Sequence, residues 1–210
     1  MSVREYRVIT RIAAAIALPV ILWAFPVIAP AVAGEQDVSV RNCTWCHGTS
    51  AQGYMLAPRL AGQRPLYLET QIRSLHEHYR DNPASKQFMW GAVAVLGPRA
   101  TRDLAAYFAA IPPRPANDGA RDIAARGRTI YLEGIAEANI AACYACHGPN
   151  AEGLRDIPRL GGLARFYLKA RLEQWGQGYH SVPGSPMPLV ARPLGPDEIE
   201  ALASYLSFVK

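Results

Sequence analysis

Two stretches of the chain can do metal chemistry, and they are nearly the same stretch. Cys43-Thr44-Trp45-Cys46-His47-Gly48 recurs as Cys143-Tyr144-Ala145-Cys146-His147-Gly148, 100 positions later. Cys-x-x-Cys-His is the attachment signal of c-type haem. Two thiols about one helical turn apart can both reach the vinyl groups along one porphyrin edge. The histidine next to the second thiol then projects toward the iron as proximal ligand. The rival readings are a zinc site and a redox-active Cys-x-x-Cys. Zinc would need the two pairs to converge from separate repeats, and would leave the histidine after each pair unexplained. A thioredoxin-type site would need a βαβ setting, and no such pattern surrounds these cysteines. Two covalently bound haem c groups are therefore expected, on Cys43 and Cys46 and on Cys143 and Cys146. They consume every cysteine in the chain, so neither a disulfide nor a spare thiolate remains.

A sixth iron ligand must come from elsewhere in each copy. Past the N-terminal segment the methionines are Met55, Met89 and Met187. Met89 and Met187 are repeat partners, 42 and 40 residues after His47 and His147, each expected in a loop before the last helix. They are the expected distal ligands. Met55 follows His47 by eight residues, has no partner in the other repeat, and reads as packing. His76 and His78 lie in a polar helical stretch and are expected to face solvent. His180 has no histidine counterpart and is a weak rival as a ligand. A thioether favours ferrous iron, so His/Met ligation raises the potential and closes the site to oxygen and peroxide. The chemistry expected of such iron is electron transfer rather than catalysis.

The elements that must position these residues are also duplicated. The offset of 100 carries Gly53 onto Gly153, Pro58-Arg59-Leu60 onto Pro158-Arg159-Leu160, Gly62 onto Gly162 and Tyr67-Leu68 onto Tyr167-Leu168. It then slips to 98, where Leu96-Gly97-Pro98 meets Leu194-Gly195-Pro196 and Leu104-Ala105-Ala106-Tyr107 meets Leu202-Ala203-Ser204-Tyr205. A proline-rich stretch from Ile111 to Gly119 separates the copies. Domains of residues 34–116 and 117–210 are expected. Helical periodicity marks Leu66 to Tyr79, Thr101 to Ile111, Arg121 to Glu133, Arg165 to Trp175 and Pro196 to Phe208. No stretch alternates with period two, so each lobe is expected to be all-helical. The long Gly/Pro loops, Gly178 to Pro193 above all, need something to fill the middle of so small a lobe.

Residues 1–33 read as an address. Arg4, Arg7 and Arg11 precede an uncharged run from Ile12 to Ala33 that closes on Ala31-Val32-Ala33. This is the pattern of a cleaved Sec-type signal, with a retained membrane anchor as the alternative, since the run is long enough to span. Either places the remainder outside the cytoplasm. That remainder carries a net charge of +3, all of it in residues 34–116, too little for a nucleic-acid footprint.

The two Cys-x-x-Cys-His-Gly sites, the Pro-Arg-Leu-x-Gly stretches, the paired methionines and the Leu-Ala-x-Tyr last helices resemble the class I cytochromes c. In tandem, over residues 37–210, they resemble the di-haem cytochrome c4 family. The resemblance implies two cytochrome c folds related by a pseudo-two-fold axis, each wrapped round one haem, with the propionates meeting near the lobe interface. It implies that the Pro58 and Pro158 carbonyls orient the proximal rings. Arg59, Arg159, Tyr67 and Tyr167 would then neighbour the haem edge or propionates. It also implies a periplasmic carrier, soluble or tethered to the outer face of the inner membrane. Such a carrier would take electrons from a quinol–cytochrome c oxidoreductase or a small copper protein and pass them to a terminal oxidase. The alternatives are a haem subunit held permanently in a larger oxidoreductase, or a di-haem enzyme such as a peroxidase. One departure concerns the first lobe. Cys43 comes only nine residues after Gly34, so a shortened N-terminal helix is expected there if the signal is removed.

Overall fold

Helices account for the regular structure, and most begin where the covalent chemistry lets them. The computed structural model describes residues 33–210 apart from Met55, Ser181 and Pro183; the signal or anchor reading of residues 1–33 falls almost entirely outside this range, as does the packing reading of Met55. In the first lobe α1 spans Ala33–His47, α2 Pro65–His76, α3 Trp90–Val93 and α4 Pro98–Ala110. In the second α5 spans Arg121–Glu133, α6 Tyr144–His147, α7 Arg165–Gly176, α8 Met187–Ala191 and α9 Pro196–Phe208. Helices α2, α4 and α9 each start at a proline preceded by an extended residue, where the missing N–H costs nothing. Asp197 and Glu198 add negative charge to the first turn of α9. No strand occurs among the described residues, only isolated bridges such as Tyr54 with Ala57 and Leu154 with Ile157. An all-helical fold was legible in the periodicity.

The duplication is reproduced bond for bond in the backbone. Gly53 N–H donates to the His47 carbonyl and Gly153 N–H to that of His147, both at 2.8 Å. Gly62 N–H donates to Phe108 and Gly162 N–H to Leu206, which is the offset of 98 seen as a contact between loop and last helix. Ala51 and Ala151 are fully buried with φ of 55° and 52°, so even the left-handed residue of the turn is repeated.

One expectation needs correction. The stretches around Met89 and Met187 were expected to be loops; instead a π-helical turn over Ser85–Met89 runs into α3, and Met187 opens α8. Turns of four or five residues are too short to display a periodicity, so the sequence pattern could not reveal them. In the first lobe α1 runs unbroken from Ala33 through the Cys-x-x-Cys-His motif. In the second lobe that span is divided, α5 stopping at Gly134 (φ 75°) and α6 carrying the motif after a loop.

The second lobe has the larger core, built from Ile130, Tyr131, Leu163, Leu168, Leu202 and Leu206, where α5 crosses α9. The first lobe's core is Leu68, Leu104, Ala105 and Phe108. The α5–α9 crossing depends on Gly127, whose Cβ would run into the Ala201 carbonyl group and lie 2.8 Å from Tyr205 Cβ. In an exposed helix Gly→Ala stabilises by about 1 kcal/mol. Gly127→Ala is instead expected to destabilise the holoprotein by about 1–3 kcal/mol, the cost of overpacking. Thermal unfolding of the two forms measures this, and an unchanged or higher midpoint would show that the helices can separate freely.

Candidate functional site

Each Cys-x-x-Cys-His motif occupies a single helical turn. Cys43, Cys46 and His47 close α1, while Cys143 stands at the N-terminus of α6 and Cys146 and His147 lie within it. The first cysteine of each pair is half-buried and the second exposed, and no disulfide joins any of them. The pairs do not converge with other ligands: no cluster of three His, Cys, Asp or Glu able to hold a metal occurs among the described residues.

Both histidines are buried, at 5% and 6% exposure. The His47 Nδ1 faces the Pro58 carbonyl at 2.6 Å, and the His147 Nδ1 faces that of Pro158 at 3.0 Å. A carbonyl can only accept, so Nδ1 carries the proton and Nε2 is left with its lone pair, the tautomer a metal ligand needs. Burial lowers the pKa of both rings; the prolyl carbonyls oppose this, and for His47 the charge of Arg80 adds to it. Both shifts favour the neutral ring. The loop that brings the proline back beneath its histidine turns at Gly53 or Gly153. A Cβ at Gly53 would lie 2.7 Å from Arg59 N and 2.9 Å from the Ala57 carbonyl, so only glycine lets the loop close.

Met89 and Met187 are half-buried, at the end of the π-helical turn and the start of α8. His76 and His78 are exposed, the latter stacked on Trp90 at 3.8 Å between ring centroids. His180 is buried and faces Gln174 Oε1 through Nε2 at 2.9 Å, while Asp81 of the first lobe accepts its backbone N–H. Burial, with Arg171 and Arg80 nearby, pushes its pKa down to about 2.

The family resemblance put Arg59 and Arg159 alike at the haem edge or propionates, but the structure gives them different partners. The Arg59 guanidinium donates to the carbonyls of Arg114 (2.8 Å), Gly161 (2.6 Å) and Gly162 (2.7 Å), tying the first lobe to the second. Arg159 makes its bonds through its backbone, to Gln63. Tyr67 on α2 and Tyr167 on α7 do come together, with Arg80 and Arg171 beside them. Arg80 donates to the Tyr167 hydroxyl at 3.3 Å and to Gln71 Oε1 at 3.0 Å. Arg171 lies over the Trp175 ring at 4.7 Å, and burial with Arg80 beside it lowers its pKa to about 10.

Among the described residues neither Arg80 nor Arg171 has an ion pair, and Arg80 Nε, Arg171 Nη1 and His180 Nδ1 are buried without partners. Two adjacent cations whose inward donors are buried and unpartnered need carboxylates. Two haems attached at Cys43/Cys46 and Cys143/Cys146 carry propionates of that charge, so this interface fits the group. A signal for it was present: the offset of 100 aligns Arg80 with His180 and Gln71 with Arg171, a polar set that no surface helix requires.

A family model for cytochrome c matches residues 124–210. Cytochrome c4 of Thiocapsa roseopersicina is 33% identical over 78% of this chain and 85% of its own length. The solved cytochrome c4 of Acidithiobacillus ferrooxidans superposes with a TM-score of 0.74 at 30% identity, covering 80% of this chain and 98% of that one. The chain belongs to the di-haem cytochrome c4 family. A cytochrome c4 carries two tandem haem-binding domains, and the two motifs here mark two covalently bound haem c groups. It is an electron carrier. A further relative is the thiosulfate dehydrogenase electron acceptor of Thiomonas intermedia, 31% identical over 97% of this chain and 93% of that protein.

Proposed function

We propose that this cytochrome c4 shuttles electrons through a periplasmic respiratory chain toward a terminal oxidase. Its domains are residues 34–116 and 117–210, behind an export signal or anchor at residues 1–33. Cys43 and Cys46 with Cys143 and Cys146 would hold the haems covalently; His47 and His147 would be the proximal ligands, and Met89 and Met187 the distal ones. Haem c supplies a one-electron exchange at its iron. The chain's residues do the rest. The Pro58 and Pro158 carbonyls hold the proton of each ring on Nδ1 and keep Nε2 directed as a donor. Met89 and Met187 would each give iron a soft thioether ligand, which would raise its potential. Arg80 and Arg171, with Tyr67 and Tyr167, balance carboxylate charge between the lobes and keep it dry. The donor is a quinol–cytochrome c oxidoreductase or a small copper protein.

The observation that carries this reading is the repeated histidine–proline hydrogen bond beneath two identical cysteine pairs. The similarity to a thiosulfate dehydrogenase electron acceptor supports a second reading, a subunit held by a dehydrogenase. A ferric optical and EPR spectrum of the holoprotein tests the ligand set. Two low-spin haems with sulfur-to-iron charge transfer are expected, and high-spin iron at either site would overturn it. Purification under mild detergent separates the two partner readings: a free carrier leaves alone, and a bound subunit brings its dehydrogenase with it.

A further inference from the structure

The duplication breaks where the lobes meet. At the positions where the second lobe has Leu163 and Ala164, the first has Gln63 and Arg64. Leu163 fills its own lobe's core, but the Gln63 amide, only 5% exposed, reaches across. Its Oε1 accepts the Arg159 N–H at 2.7 Å and its Nε2 donates to the Arg159 carbonyl at 3.0 Å. One side chain thereby satisfies both backbone groups of that residue, as a neighbouring strand would. The same Oε1 accepts the Arg64 N–H at 2.9 Å, which fixes the amide's own orientation. Arg64 then grips the Gly153 carbonyl through Nε (3.0 Å) and Nη2 (2.6 Å).

These two anchor points bracket the loop that supports His147. Arg159 directly follows Pro158, whose carbonyl accepts the Nδ1 proton of His147. Gly153 donates its N–H to the His147 carbonyl at 2.8 Å. At the equivalent places in the first lobe, Gly53 and Arg59, no second-lobe side chain binds the backbone among the described residues. We propose that Gln63, with Arg64, is a positioning residue for the proximal histidine of the second haem, acting from the other lobe through the Pro158–Arg159 peptide. The orientation of that carbonyl sets how much proton density His147 Nδ1 gives up, and hence how strongly Nε2 donates to iron. The coupling runs one way, from the first lobe's residues to the second lobe's iron. The inference rests on the reading of His147 as a ligand.

The experiment is a redox titration of purified holoprotein with the two haems resolved by NMR of their hyperfine-shifted methyl resonances. Gln63→Leu installs the residue that the second lobe itself carries. Arg64→Lys keeps the charge and removes the two-point grip. A looser carbonyl weakens His147 as a donor, so the second haem's potential is expected to rise. The expected change in its reduction equilibrium constant is up to about tenfold, or about 59 mV for one electron. The first haem's midpoint is expected to stay. Arg64→Lys is expected to act in the same direction with a smaller shift, and it stands as the test where Gln63→Leu fails to fold. Unchanged midpoints, or equal shifts of both haems, would overturn the proposal. A wild-type spectrum lacking two His/Met haems would instead fall on the ligand reading, so the two failures are told apart.

Discussion

Met187→Ala is expected to lower the midpoint of the second haem while the chain stays folded and both haems stay attached. Across haem proteins the axial ligands move the potential over about 0.8 V, so loss of the thioether is expected to give the largest shift of any single substitution here. The direction follows from softness: sulfur stabilises ferrous iron, and water or an oxygen donor in its place favours ferric iron. Met89→Ala is expected to do the same to the first haem alone, because the two methionines sit in separate helical turns on separate lobes. Optical redox titration of each variant, with the loss of sulfur-to-iron charge transfer, reads the effect. If neither replacement moves a midpoint, Met89 and Met187 are packing residues and the distal ligands lie elsewhere.

Arg59→Ala is expected to cost about 3–5 kcal/mol of stability, since hydrogen bonds to a charged group contribute about 1.5–3 kcal/mol each and three are lost together. The guanidinium is 5% exposed and holds three carbonyls, two of them in the second lobe. Burial, with Arg159 nearby, lowers its pKa to about 10, so it stays charged at neutral pH. Gly162 keeps a second donor in the Ala116 N–H, but the Gly161 carbonyl, in a buried contact, would be stranded. At about 2–4 °C per kcal/mol for a chain of this size, the thermal midpoint should fall by roughly 6–20 °C. Arg159→Ala, its repeat partner, is expected to cost less than about 1 kcal/mol, since its guanidinium makes no hydrogen bond among the described residues. Differential scanning calorimetry of both variants checks the contrast, and equal losses would show that Arg59 is not a lock between lobes. The expected asymmetry is a consequence of packing alone, because the two residues stand in identical Pro-Arg-Leu contexts.

What could be read directly from the residues was the chemistry and the architecture. Cys-x-x-Cys-His has a spacing that a single helical turn converts into geometry, and the structure places both motifs in such a turn. The long helices were legible because three or more turns of amphipathic pattern survive in the sequence; α5 and α9 match their expected limits. The carbonyls of Pro58 and Pro158 came from the family resemblance, and the structure puts both against their histidines. Other features had no local signature. The helical turns at Met89 and Met187 are shorter than any period they could express. Arg80, Arg171 and His180 look like surface residues until two lobes close over them.

The sequence by itself determined that there are two haem lobes, since covalent attachment and a helical turn need only neighbours along the chain. Only the tertiary structure decided how the lobes differ. Arg59 and Arg159, or Gln63 and Leu163, are equivalent in the repeat and unequal in space. One surface of each lobe meets a non-identical surface of the other, and only across that contact does a donor find its carbonyl.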